Sequence, residues 1–211
     1  MVRILIYLFL LVVALNSATY ELSNENLARC GSNEICKNVL NHYANFMKKT
    51  QTQSDWRKIE LVNSYINTIK PRYDDFYNKN VDVWSTRGEF LRSAGGDCEE
   101  YAISKKESLK DLGVNSKTCL LVVKEKLISK GGYHMVLALW QRQGDEPVIL
   151  DNLSFRVLPL SKRYDLEPLY CLMDAKYYKL KNNGKILEPL NIRMQTYESL
   201  LQKEKVEKFW R

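Results

Sequence analysis

Histidine is nearly absent from this chain of 211 residues: there are two, His42 and His134, so any imidazole base must be one of them. Glycine and proline are sparse, at 9 and 5, and no internal repeat or low-complexity tract is present, which leaves ordinary globular folding as the frame. No run of five or six basic residues and no RNA-binding aromatic motif occurs. The net charge of +7, from 32 Lys and Arg against 25 Asp and Glu, is spread along the chain. It permits weak attraction to polyanions, but nucleic-acid binding finds no support. Long apolar runs are also missing, with one exception at the start. After the basic MVR, the run ILIYLFLLVVAL spans 12 residues and is followed by Asn16, Ser17 and Ala18. That layout reads as a secretory signal peptide over residues 1–18, short for a membrane span, with an uncleaved anchor as the alternative. No second span follows, so no stable membrane insertion is expected after cleavage, and the folded part is expected outside the cytoplasm.

What remains is enough for a sizeable core, with 45% hydrophobic residues. Residues 19–70 carry helical periodicity. NEICKNVLNHYANFMKKT repeats apolar residues at Ile35, Val39, Leu40, Tyr43 and Phe46. DWRKIELVNSYINTIK repeats them at Ile59, Val62, Tyr65, Ile66 and Ile69, with Ser54 or Asp55 as N-cap and Pro71 as the stop. RGEFLRS predicts a short helix capped by Ser85 or Thr86. CEEYAISKKESLKDLG predicts another, from Cys98 to about Leu112, stopped by Gly113. The period then changes. KTCLLVVKEK, GYHMVLALWQR and EPVILDNLS read as antiparallel strands with GDEP as a hairpin turn. FRVLPL and AKYYKL are further strand candidates, and MQTYESLLQKEKVEKFW is a closing helical tail. Helices first and strands afterwards predict an α+β fold, an antiparallel sheet with helices packed to one side. The expected organisation is a single domain over residues 19–211. It has a helical lobe at about 19–112, a β-rich lobe at about 113–190 and the tail.

Five cysteines is an odd number, so in an exported protein at least one thiol stays unpaired. Cys30 and Cys36, close together in CGSNEIC, predict a local disulfide. Cys119 in TCLLVV and Cys171 in LYCLMDA read as buried, inert thiols. Cys98 differs. In GGDCEEYA it follows two glycines and an aspartate at the head of a helix. The first turn of a helix favours a thiolate through its free N–H groups and dipole, and the same N–H groups can hold an oxyanion. Gly95 and Gly96 let the chain turn and keep the approach to sulfur open. Asp97, Glu99 and Glu100 oppose a thiolate by like charge, so they need another task or a cation. His42 reads as a surface or capping residue of its helix. His134, on a strand between apolar neighbours, points into the core or into a cleft. A hairpin between that strand and VILDN can bring Asp151 beside His134, the order a Cys-His-Asp arrangement needs.

WSTRGEFL, GGDCEEYA, YHMVLAL and ILDN, in that order, resemble the bacterial transglutaminase-like cysteine proteinases, the LapG-like periplasmic adhesin proteases. The likeness runs from about Tyr73 to Tyr178. It implies a papain- and transglutaminase-like fold, with Cys98 as nucleophile, His134 as base and Asp151 as orienting acid. It also implies calcium (Ca2+), bound by acids flanking the nucleophile: Asp97 and Glu100, with Glu99 as a further candidate. Many relatives have Asp at the position of Glu100, and many have Thr-Pro where this chain has Thr86-Arg87. The implied function is a calcium-dependent periplasmic cysteine endopeptidase. It would cleave an exported protein, a large surface adhesin, in control of biofilm attachment, under an inner-membrane receptor for cyclic di-GMP. The alternatives are a transglutaminase or amidase using the same residues, and a binding module without catalysis.

Overall fold

The computed structural model describes residues 19–72, 83–127 and 132–211. The expected signal segment, residues 1–18, lies outside them, as does most of the loop expected between Pro71 and Trp84. Among the described residues no helix is long and apolar enough to cross a membrane.

Five helices come first: α1 (Asn24–Ala28), α2 (Glu34–Thr50), α3 (Asp55–Ile66), α4 (Arg87–Ser93) and α5 (Cys98–Asp111). Their starts follow local capping chemistry. Ser23, Asn33 and Ser54 accept hydrogen bonds from backbone N–H groups in the first turns of α1, α2 and α3. Thr86 and Glu89 form a reciprocal capping box at the head of α4. Arg87, standing where proline would fit the first helical position, is buried instead. Its guanidinium meets Asp111 at 2.5 Å and lies over the Phe209 ring at 4.2 Å, which ties α4 to α5 and to the C-terminus. In α2, Leu40, Tyr43 and Met47 are fully buried, but Ile35 is exposed. α3 ends at Ile66, short of the expected Ile69, with Asn67 as its C-cap.

Gly95–Gly96 forms a two-residue strand, β2, parallel to β1 (Lys70–Pro71). A Cβ on Gly95 would lie 2.7 Å from the Lys70 carbonyl oxygen, and one on Gly96 would lie 2.9 Å from the Glu100 Cβ. The glycines therefore admit a neighbouring strand and the helix that follows, rather than a sharp turn.

Seven antiparallel strands make the main sheet: β3 (Lys117–Glu125), β4 (Tyr133–Trp140), β5 (Val148–Asp151), β6 (Ser154–Pro159), β7 (Leu166–Met173), β8 (Lys176–Lys181) and β9 (Ile186–Leu190). Their order is β6-β5-β4-β3-β7-β8-β9. CLLVV, residues 119–123, is apolar throughout because both faces of β3 are covered there. Leu120 and Val122 join the core under the helices, while Cys119, Leu121 and Val123 join a second cluster behind the sheet. β7 and β9 were not expected from the sequence, and β7 is the inner neighbour of β3. The pairing of β3 with β7 explains a second correction. Cys119 and Cys171 are not free thiols but a disulfide linking β3 to β7. Cys30 and Cys36 are bonded as expected, so Cys98 is the one free cysteine. The closing helix α6 (Gln195–Val206) and the residues after it return to the helical side. There Leu22 pairs with Trp210.

Candidate active site

Cys98 is the first residue of α5, capped by Asp97, and α5 lies across β4. Cys98 and His134 line the same cleft, of about 550 Å³, with Trp84, Glu99, Val122, Tyr133, Met135, Leu169, Tyr170 and Met194. His42 is exposed on α2 and lines no part of that cleft. Leu137 faces Leu150 in the β4–β5 ladder. This register runs Asp151 toward the start of β4, and His134 Nε2 sits 2.9 Å from Asp151 Oδ1. Both residues are buried. The ring nitrogen not engaged by Asp151 is Nδ1.

Asp151 is held from several sides. Its Oδ1 also accepts the Leu153 N–H at 2.9 Å, closing the two-residue turn into β6, and its Oδ2 accepts from Arg163 Nη2 at 2.6 Å. From the C-cap of α3, Asn67 Nδ2 donates to the Asp151 carbonyl oxygen at 2.8 Å, and from within α3 Asn63 Nδ2 donates to that of Ser154 at 2.9 Å. Burial works against a charged Asp151, but the His134 bond, the Leu153 N–H and Arg163 outweigh it. The carboxyl is held well below the usual carboxylate range.

Around sulfur the balance is reversed. The Cys98 thiol donates to Glu99 Oε2 at 3.1 Å. Burial pushes the thiol up, and the charge and hydrogen bond of Glu99 push it further. A Met135 backbone N–H at the sulfur pulls the other way. Asp97, Cys98 and Glu99 bring possible ligand atoms within 4.8 Å of one another. The Asp97 carboxyl is within hydrogen-bond reach of both Glu99 and Glu100. Glu100 is placed differently from the other two. Its Oε1 accepts the Ser85 N–H at 2.8 Å and its Oε2 the Asp97 N–H at 3.1 Å. Burial and the Asp97 carboxyl push it up to about 8. Adjoining carboxyls of this kind need a shared proton or a cation, and an all-oxygen donor set fits a hard divalent ion such as calcium.

The family profile of the bacterial transglutaminase-like cysteine proteinases matches residues 27–166. The chain belongs to that family. This proteinase is a cysteine peptidase with a transglutaminase-like fold, as the sequence led us to expect. Its fold is similar to that of LapG from Legionella pneumophila. Calcium-bound LapG superposes with a TM-score of 0.71 at 24% identity, covering 85% of this chain and 97% of that one. EGTA-treated LapG superposes with a TM-score of 0.71, also at 24% identity, over 85% and 95%. None of the curated proteins compared matches the proteinase. Arg163, Asn63 and Asn67 at the end of α3, and the Met135 N–H are parts of the site that reading the sequence missed. Arg163 lies in SKRYD, a polar stretch with no periodicity to single it out.

Proposed function

We propose that the proteinase is a calcium-dependent endopeptidase in which Cys98 attacks the scissile carbonyl and His134 and Asp151 manage the proton. One observation carries the reading: the free cysteine, at a helix head, shares a cleft with a histidine bonded to a buried carboxylate. In the first step Sγ bonds to the carbonyl carbon as its proton passes to His134 Nδ1. N–H groups at the start of α5 face the developing oxyanion. Asp151 holds Nε2–H and balances the imidazolium. His134 then protonates the leaving amine, and water hydrolyses the thioester with the same imidazole as base. Asp97 and Glu99, with Glu100 behind them, would hold the cation. When bound, it supplies positive charge beside the sulfur, offsetting the acids that now oppose a thiolate.

An exported adhesin as substrate, a periplasmic location and a cyclic di-GMP receptor as regulator complete the proposal. Two disulfides in a chain with a signal-like start support an oxidising compartment. The calcium-bound and EGTA-treated forms of LapG support the metal.

Cys98→Ala should abolish cleavage of an adhesin linker peptide while leaving the circular dichroism spectrum unchanged; cleavage by that variant would end the proposal. EGTA should inactivate the protein and lower its melting temperature, and calcium should restore both. A melting curve indifferent to chelator and to calcium would remove the metal. Release of a new peptide N-terminus, without ammonia or crosslinks, separates hydrolysis from acyl transfer to an amine.

A further inference from the structure

Arg163 ends the short 3-10 turn Leu160–Lys162 between β6 and β7, and it is buried. Its guanidinium is shared between two carboxylates. Nε and Nη2 meet Asp165 Oδ1 and Oδ2 at 3.0 and 2.6 Å, and Nη2 also meets Asp151 Oδ2 at 2.6 Å. Asp165 is the outer member, partly open to solvent, and Asp151 the wholly buried one. A chain of alternating charge thus runs inward from Asp165 through Arg163 and Asp151 to the imidazole of His134 in the cleft.

We infer that Arg163 is a positioning residue for His134, acting through Asp151. A carboxylate can rotate about its Cβ–Cγ bond and can hydrogen-bond a ring through either oxygen. Here each oxygen has its own partners. Arg163 claims Oδ2, so Oδ1 remains for His134 Nε2 and the Leu153 N–H. The rotamer of Asp151 is fixed, and with it the plane of the imidazole and the direction of Nδ1. A guanidinium suits this task better than an ammonium, because its planar fork can hold two carboxylates in one geometry. Asp165 holds the far side of that fork and stops Arg163 from swinging away. Among the described residues Lys105 of α5 also feels the Asp151 charge, but it cannot do the same. Its Nζ makes no hydrogen bond among the described residues, so it gives the carboxylate no direction.

The inference rests on the proposed role of His134, and its test is chosen to fail separately. The first readout is the downfield proton resonance of His134 Nε2–H, identified by its loss in His134→Ala. The second is the rate of Cys98 alkylation by iodoacetamide at one fixed neutral pH. In Arg163→Gln, the resonance should exchange with water faster and alkylation should slow by about tenfold, the scale of one charge-assisted hydrogen bond. Arg163→Lys restores a charged donor and should recover a large part of both. Asp165→Asn leaves the Asp151 contact in place and should cause a loss of about threefold, a smaller share of the same scale. If Arg163→Gln does not fold, the Lys and Asn variants carry the test alone. A wild-type resonance and alkylation rate in folded Arg163→Gln, or in both other variants, would overturn the inference. So would Arg163→Lys as slow as Arg163→Gln. Cleavage activity in Cys98→Ala would instead strike the proposed function, leaving the resonance result to stand as a statement about the fold.

Discussion

Lys105 lies wholly inside the protein, against α5's own Tyr101 ring at 6.0 Å and within the field of Asp151. Burial lowers it from its ordinary 10.5 to about 7, although Asp151 pulls it up. The sign of the consequence follows from linkage. The unfolded chain takes up the proton as pH falls below 10.5, and the folded protein does not until about 7. The penalty on folding therefore grows across that window and is complete below it. Lys105→Met should raise stability by a few kcal/mol at pH 7 and by much less at pH 10. Urea unfolding curves at the two pH values check this; equal gains at both would refute it. At this scale the role proposed for Cys98 could be read from its own setting, whereas those proposed for His134 and Asp151 came from the resemblance carried by YHMVLAL and ILDN. Lys105 and Arg163 were legible by neither route. A lysine among KKES and an arginine in SKRYD look like solvated charges until the fold encloses them.

At the scale of elements, helices were legible from their period and, for α3 and α4, from cap candidates, while the structure supplied the remaining caps. Thr86 and Glu89 in STRGE, and Asn33 before EICK, start helices by contacts three residues away. The glycine pair before Cys98 was legible as special but not for its reason. Gly95 admits the Lys70 carbonyl oxygen, which belongs to a segment 25 residues earlier and pairs in parallel with it. Gly95→Ala should force that pair apart and lower stability by about 1–3 kcal/mol, as overpacking does. Scanning calorimetry would show a fall of several degrees, and an unchanged transition would refute the close approach. β7 escaped notice because LEPLYCLM neither alternates cleanly nor lacks proline. Its place beside β3 comes from a bulged register between Val122 and Val123, a long-range pairing with no local signature.

Across the whole molecule, two covalent links brace the two halves. Cys30–Cys36 closes a separation of 6 residues and Cys119–Cys171 one of 52. Loop-closure entropy then assigns about 2 kcal/mol to the first and about 4 kcal/mol to the second. The paired Cys119→Ala and Cys171→Ala variant should lose more stability in guanidinium than the paired Cys30→Ala and Cys36→Ala variant; the opposite order would refute this ranking. Cysteine parity was visible in the sequence, since five thiols must leave one over. Which one remained was settled only when β3 and β7 became neighbours and consumed Cys119 and Cys171. The division is general in this protein. The sequence by itself determined what depends on residues a few positions apart: helix caps, the period of most elements, the singular setting of Cys98 at a helix head and the family. Tertiary structure alone decided what depends on distant segments meeting. Those are the strand order, the second disulfide, the cleft shared by Cys98 and His134, and the burial of Arg163 against Asp151. Short-range hydrogen bonding and steric period are written into neighbouring residues, whereas the partner of a buried charge is chosen by the packing that removes water from it.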